Sequence, residues 1–119
     1  MIRGYLTTHV LDTARGQPAA GLTLHLYRHL DAGREHLTTV LTNADGRCEE
    51  AILAGEAFEV GRYELEFEVG AWLAASGRAD TSPVFLDVVP IRFGIADASA
   101  HYHVPLLLSP YGYTTYRGS

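Results

Sequence analysis

The chain has one cysteine, Cys48, and one tryptophan, Trp72, among 119 residues. A lone cysteine closes no intrachain disulfide, and without a Cys cluster there is no thiolate cage for a structural metal. No apolar run reaches the length that spans a bilayer. The opening MIRGYLTTHV has neither a long apolar segment nor a small-residue cleavage site, so no signal peptide is expected. Positive charge is scarce too. Nine basic residues against fourteen acidic ones leave a formal charge of -5, which argues against a protein that holds nucleic acid on a basic surface. There is also no GxSxG elbow, no Gly-rich phosphate loop and no HExxH pair. The expectation is a cytoplasmic protein with neither membrane nor nucleic-acid partners.

Hydrophobic residues make up 47% of the chain and charged residues 19%, the balance of one ordinary globular core. No repeat, low-complexity segment or linker interrupts it, so residues 1–119 read as a single domain. Gly4–Leu11 is β-branched and aromatic and reads as a strand, with Tyr5, Thr7, His9 and Leu11 on one face and Leu6, Thr8 and Val10 on the other. Leu22–Tyr27 and His36–Thr42 follow as strands around Asp31-Ala32-Gly33. Asn43-Ala-Asp-Gly46 is a tight-turn signal that delivers Arg47. Arg62–Val69, RYELEFEV, alternates cleanly, with Tyr63, Leu65, Phe67 and Val69 inward and Glu64, Glu66 and Glu68 toward water. Gly70–Gly77 is the one stretch with helical character, about two turns capped by Gly77. Val84–Ile95 reads as one bent strand or a pair, with Pro90 confined to an edge, bend or bulge. His101–Leu108 and Tyr113–Arg117 close a hairpin around Ser109–Gly112. These seven or eight short strands predict an all-β sandwich.

The last nineteen residues, HYHVPLLLSPYGYTTYRGS, are too apolar and aromatic for an unpacked tail. His101 and His103, two apart on a strand, project from one face. A His-x-His pair can hold zinc with a third ligand such as His9, but it is more often simply a polar face. His9, alone among threonines, is more often a hydrogen-bonded surface histidine than a functional one. Arg47 and Arg117 can each clamp an anionic or carbonyl-rich ligand through paired hydrogen bonds, or pair with one of the many carboxylates. Spacing and composition stop at a polar histidine–arginine set without a substrate.

Four motifs taken together go further. Thr8-His-Val-Leu-Asp12, Thr42-Asn-Ala-Asp-Gly-Arg47, His101-Tyr-His-Val-Pro-Leu-Leu-Leu108 and Ser109-Pro-Tyr-Gly-Tyr-Thr-Thr-Tyr-Arg-Gly-Ser119 occur in order along the chain. Together they resemble the 5-hydroxyisourate hydrolases, the transthyretin-like enzymes of urate breakdown. Thr114 stands where that family often has serine, and the exchange keeps a hydroxyl. The resemblance implies a sandwich of two four-stranded sheets with one short helix, assembled as a homotetramer with its sites where dimers meet. It implies hydrolysis of 5-hydroxyisourate to 2-oxo-4-hydroxy-4-carboxy-5-ureidoimidazoline, without cofactor or metal. His9, Arg47, His103 and Ser119 are then the catalytic residues. Tyr116, Arg117 and Gly118 join them in holding substrate, while His101 is a neighbour without an assigned step. The competing expectation is a non-catalytic carrier of a small planar aromatic ligand in the channel of such a tetramer.

Overall fold

The structure, a computed structural model, describes residues 3–118. Its strands are β1 (Tyr5–Thr7), β2 (Val10–Asp12), β3 (Gln17–Pro18), β4 (Thr23–Leu30), β5 (Gly33–Leu41), β6 (Leu53–Ala54), β7 (Gly61–Glu68), β8 (Val88–Ile95), β9 (His101–His103), β10 (Leu106–Ser109) and β11 (Gly112–Thr115). One α-helix, α1 (Val69–Ala75), follows β7 directly. Its end is the expected glycine cap. Gly77 has φ +73°, and the amides of Gly77 and Arg78 donate back to the carbonyls of Ala74 and Leu73.

One layer is the four-stranded antiparallel sheet β5-β4-β7-β8. The other is not the single four-stranded sheet expected. It is divided into β6-β1-β9 and β11-β10-β2-β3. The two parts share one parallel register, Thr7 opposite His103 in the first and Val10 opposite Leu106 in the second. The cause of the division is local. Thr8 Oγ1 donates to the Val104 carbonyl at 2.7 Å, in place of a strand amide. The Val10 amide donates to Gly46 O at 2.8 Å. A side-chain hydroxyl and a neighbouring turn thus take up two of the ladder groups beside His9, while the His9 carbonyl still accepts the Leu106 amide at 3.0 Å.

Between the layers lies one core. Leu24, Leu26, Tyr63, Leu65 and Phe67 face Leu6, Val10, Leu106 and Leu108, all at or near zero exposure. Each such fully buried side chain contributes about 1.5–3 kcal/mol by removing apolar surface from water. The alternation read from RYELEFEV therefore holds on its inner face. On the outer face one expectation fails: Glu64 is only 2% exposed. Its carboxylate accepts from His29 Nε2 at 2.7 Å, Arg92 Nε at 3.0 Å and Arg34 Nη1 at 3.1 Å. Neighbouring strands β4, β5 and β8 lay longer side chains over it. Pro90 sits on β8, an edge of its sheet, where no ladder amide is required of it. Among the described residues no helix is long and apolar enough to cross a membrane.

Candidate active site

β1 and β9 lie side by side and parallel, and every residue of one face meets its counterpart there. Tyr5 stands opposite His101 and Thr7 opposite His103. The Tyr5 and His101 rings stack at 4.1 Å with 13° between their planes. Thr7 Oγ1 lies 2.6 Å from His101 Nε2 and 2.8 Å from His103 Nδ1, so one hydroxyl joins both imidazoles. The alternation that put Thr7 beside His9 was visible in the sequence. Its place between two histidines almost a hundred positions away was not.

Arg47 arrives by a different route. The turn before it is closed by Asn43, whose Oδ1 accepts from the amides of Asp45 and Arg47 at 2.9 and 3.2 Å. Gly46 has φ +76°, and a Cβ there would meet the Val10 carbonyl at 2.3 Å. Only glycine lets this turn dock against the divided sheet. Docking also holds His9, whose Nε2 lies 2.9 Å from the Asp45 carbonyl. A carbonyl only accepts, so Nε2 of His9 carries the hydrogen, and the lone pair of the neutral ring is on Nδ1.

Tyr5, Thr7, Arg47, Cys48, Glu49, Glu50, His101 and His103 line a cleft of about 460 Å³. Among the described residues the Arg47 guanidinium has no hydrogen-bond partner. The electrostatics of the cleft act on His103. Burial, then the charges of His101, Arg47 and His9, hold its imidazole below the usual histidine range. A neutral ring with one nitrogen committed to Thr7 is a base available near neutral pH. Burial likewise pushes the Cys48 thiol up, away from thiolate character. Among the described residues no group of three or more His, Cys, Asp or Glu side chains converges to hold a metal ion.

The expected tail residues divide. Gly118 pairs with His103, its amide donating to the His103 carbonyl at 2.8 Å. A Cβ on Gly118 would lie 2.6 Å from Cδ2 of the His103 ring, so the absence of a side chain is what admits the ring. Tyr116 and Arg117 line a separate hollow of about 230 Å³ with Ile91, Phe93, Tyr102 and Val104. Arg117 lies 3.9 Å over the Tyr102 ring, a cation–π contact. His9 is outside the lining of the cleft, though its charge reaches His103. Ser119 lies outside the described residues. Tyr5, Thr7, Cys48 and the Glu49–Glu50 rim are cleft residues that sequence reading did not single out.

Comparison with known proteins agrees with this geometry. A 5-hydroxyisourate hydrolase of Mesorhizobium japonicum is 63% identical over 116 residues, covering 98% of this chain and 93% of its own. The solved 5-hydroxyisourate hydrolase of Klebsiella pneumoniae is 40% identical with a TM-score of 0.81, covering 97% of this chain and 99% of its own. The structure of (S)-allantoin synthase superposes with a TM-score of 0.92 at 44% identity, and this chain spans 99% of itself but only 44% of that longer one. The model of the HIUase/Transthyretin family matches residues 6–118. A cleft of histidines and arginine on a transthyretin-like sheet, with a match that runs almost end to end, shows that this chain belongs to the HIUase/Transthyretin family.

Proposed function

We propose that this protein hydrolyses 5-hydroxyisourate to 2-oxo-4-hydroxy-4-carboxy-5-ureidoimidazoline. The observation that carries the reading is the meeting of Arg47 and His103 in one cleft, with His103 kept neutral and the Arg47 guanidinium uncommitted among the described residues. Opening a cyclic C–N bond needs a deprotonated water, a cation for the charge that builds on the attacked carbonyl oxygen, and a proton for the departing nitrogen. In this proposal His9, assisted by the Ser119 hydroxyl, activates the water by hydrogen bonding at Nδ1. His103 positions the ring, takes up at Nε2 the proton that the water releases and returns it to the departing nitrogen. Arg47 holds the planar heterocycle and stabilises the developing oxyanion. Gly118 makes room for His103.

The same proposal assembles the chain, one catalytic domain, as a cytoplasmic homotetramer. β8 and β11 are sheet edges, and Tyr113 and Tyr116 are exposed beside one of them. Unpaired edges carrying aromatic residues favour association with another chain. Neighbouring protomers would bring Tyr116 and Arg117 to the sites and close the open clefts. Sedimentation should therefore give about four times the 13.0 kDa of one chain; a monomer at assay concentration would remove the shared-site arrangement.

The activity is tested with freshly generated 5-hydroxyisourate, following the loss of its ultraviolet absorbance. Acceleration over spontaneous decay is expected. His9→Ala, His103→Ala and Arg47→Ala should each slow turnover by about a hundredfold or more. Binding of planar aromatics with no turnover would replace the enzyme reading by a carrier.

A further inference from the structure

The cleft contains an arrangement that the proposed mechanism leaves unused, the single hydroxyl between two imidazoles. We infer that Thr7 Oγ1 is a proton relay from His103 to His101, so that the positive charge formed during turnover comes to rest on the outer ring. This rests on the hydrolase reading above and adds to it a role for Thr7 and His101.

The geometry limits the relay to few states. Thr7 has one hydrogen and two acceptor lone pairs. When His101 Nε2 accepts the hydroxyl hydrogen, His103 Nδ1 must be the N–H that donates to Oγ1. His103 Nε2 is then a free lone pair, the form a base requires. A proton taken up at Nε2 makes His103 a cation. Its surroundings oppose that charge: the ring is partly buried and feels His101, Arg47 and His9. His101 is the exposed member of the pair. It is stacked on the Tyr5 ring, whose face favours a positive charge. In the relay the Nδ1–H bond of His103 breaks as its proton passes to Thr7 Oγ1. The Oγ1–H bond breaks as that proton passes to His101 Nε2. Two N–H or O–H bonds form for two broken, nothing is oxidised or reduced, and one positive charge has moved outward. Reversal restores Nδ1–H on His103 while Nε2 gives its proton to the leaving nitrogen.

The groups facing the pair are consistent with this direction. Arg47 and His9 act on His103 from the docked turn and the divided strand, Gly118 covers one ring edge, and Glu49 and Glu50 stand on the cleft rim. Against His101 are the Tyr5 ring and Arg117, whose guanidinium donates to its carbonyl at 3.4 Å rather than to its ring. Removing the hydroxyl should cost the relay and little else. Thr7 acts through His103, so it is a positioning and relay residue.

The experiment pairs kinetics with nitrogen-15 NMR of the histidine side chains in the full-length protein. In the wild type the His103 tautomer should be Nδ1–H at neutral pH, and it should change as His101 takes up a proton. In Thr7→Val that tautomer should no longer follow His101, and kcat should fall about tenfold to a hundredfold with KM nearly unchanged. Thr7→Ser should restore both readouts. His101→Gln should lower kcat as Thr7→Val does, and the double variant should lose no more than either alone. A His103 tautomer indifferent to the state of His101 would overturn the relay, as would a Thr7→Val enzyme with wild-type kcat. A serine variant as poor as the valine one would also overturn it, because packing would then be the cause. If the wild type fails to open 5-hydroxyisourate, the hydrolase reading falls while the NMR coupling still decides whether protons pass through Thr7.

Discussion

His103 owes its chemistry to neighbours rather than to its own strand. Desolvation lowers its pKa first, and His101, Arg47 and His9 lower it further. Its neutral form therefore persists below the ordinary histidine value of about 6.5. The sign follows directly. Between the lowered and the ordinary value the unfolded chain binds more protons here than the folded one, so this residue makes the fold more stable as pH rises through that window. The acidic limb of kcat/KM should then lie below the usual histidine range. Arg47→Gln removes one of the opposing charges, and the His103 titration followed by NMR should move upward. A titration that stays in place would show that Arg47 does not act on this ring.

The turn between β5 and β6 is the element on which the site depends, and its glycine separates two effects that are usually confounded. Gly16 and Gly46 both have positive φ, +67° and +76°, but a Cβ at Gly16 would meet nothing within 4 Å while one at Gly46 would meet the Val10 carbonyl. Gly16→Ala should cost about 1–3 kcal/mol from backbone conformation alone. Gly46→Ala should cost more, because the turn must also move away from β2. Denaturant unfolding measures both, and equal losses would mean the turn yields freely. Gly118→Ala tests the other end of the site. It should leave the melting temperature close to wild type while lowering kcat, since what it displaces is the His103 ring. Wild-type kcat would show that the tail gives way instead.

For the molecule as a whole, the buried carboxylate of the outer face is where acid should act. Burial raises the pKa of Glu64, but hydrogen bonds from His29 and Arg92 and the charge of Arg34 outweigh it and leave the group below the ordinary range. Stability from this group is present above the unfolded glutamate value of about 4.3 and is lost as pH falls through the lower folded value. Glu64→Gln should accordingly melt at a lower temperature than the wild type at pH 7, with the gap narrowing on acidification. A constant gap at all pH values would mean the carboxylate charge contributes nothing. RYELEFEV announced which face Glu64 occupies, because alternation is local. It could not announce burial on that face, because His29, Arg34 and Arg92 come from three other strands.

The same division runs through the protein. By itself the sequence determined the inward set of Tyr63, Leu65 and Phe67, the turn that ends at Gly46, the short helix stopped by Gly77 and the motifs from Thr8 to the tail. Each depends on side-chain period, on a glycine's access to positive φ, or on residue order, all of which are properties of neighbours along the chain. Tertiary structure alone decided that the second layer divides at Thr8 and Val104, that Tyr116 and Arg117 face a hollow apart from His103, and that one threonine hydroxyl joins two imidazoles. Those outcomes depend on the parallel register of β1 with β9, a pairing between distant segments that no local period encodes.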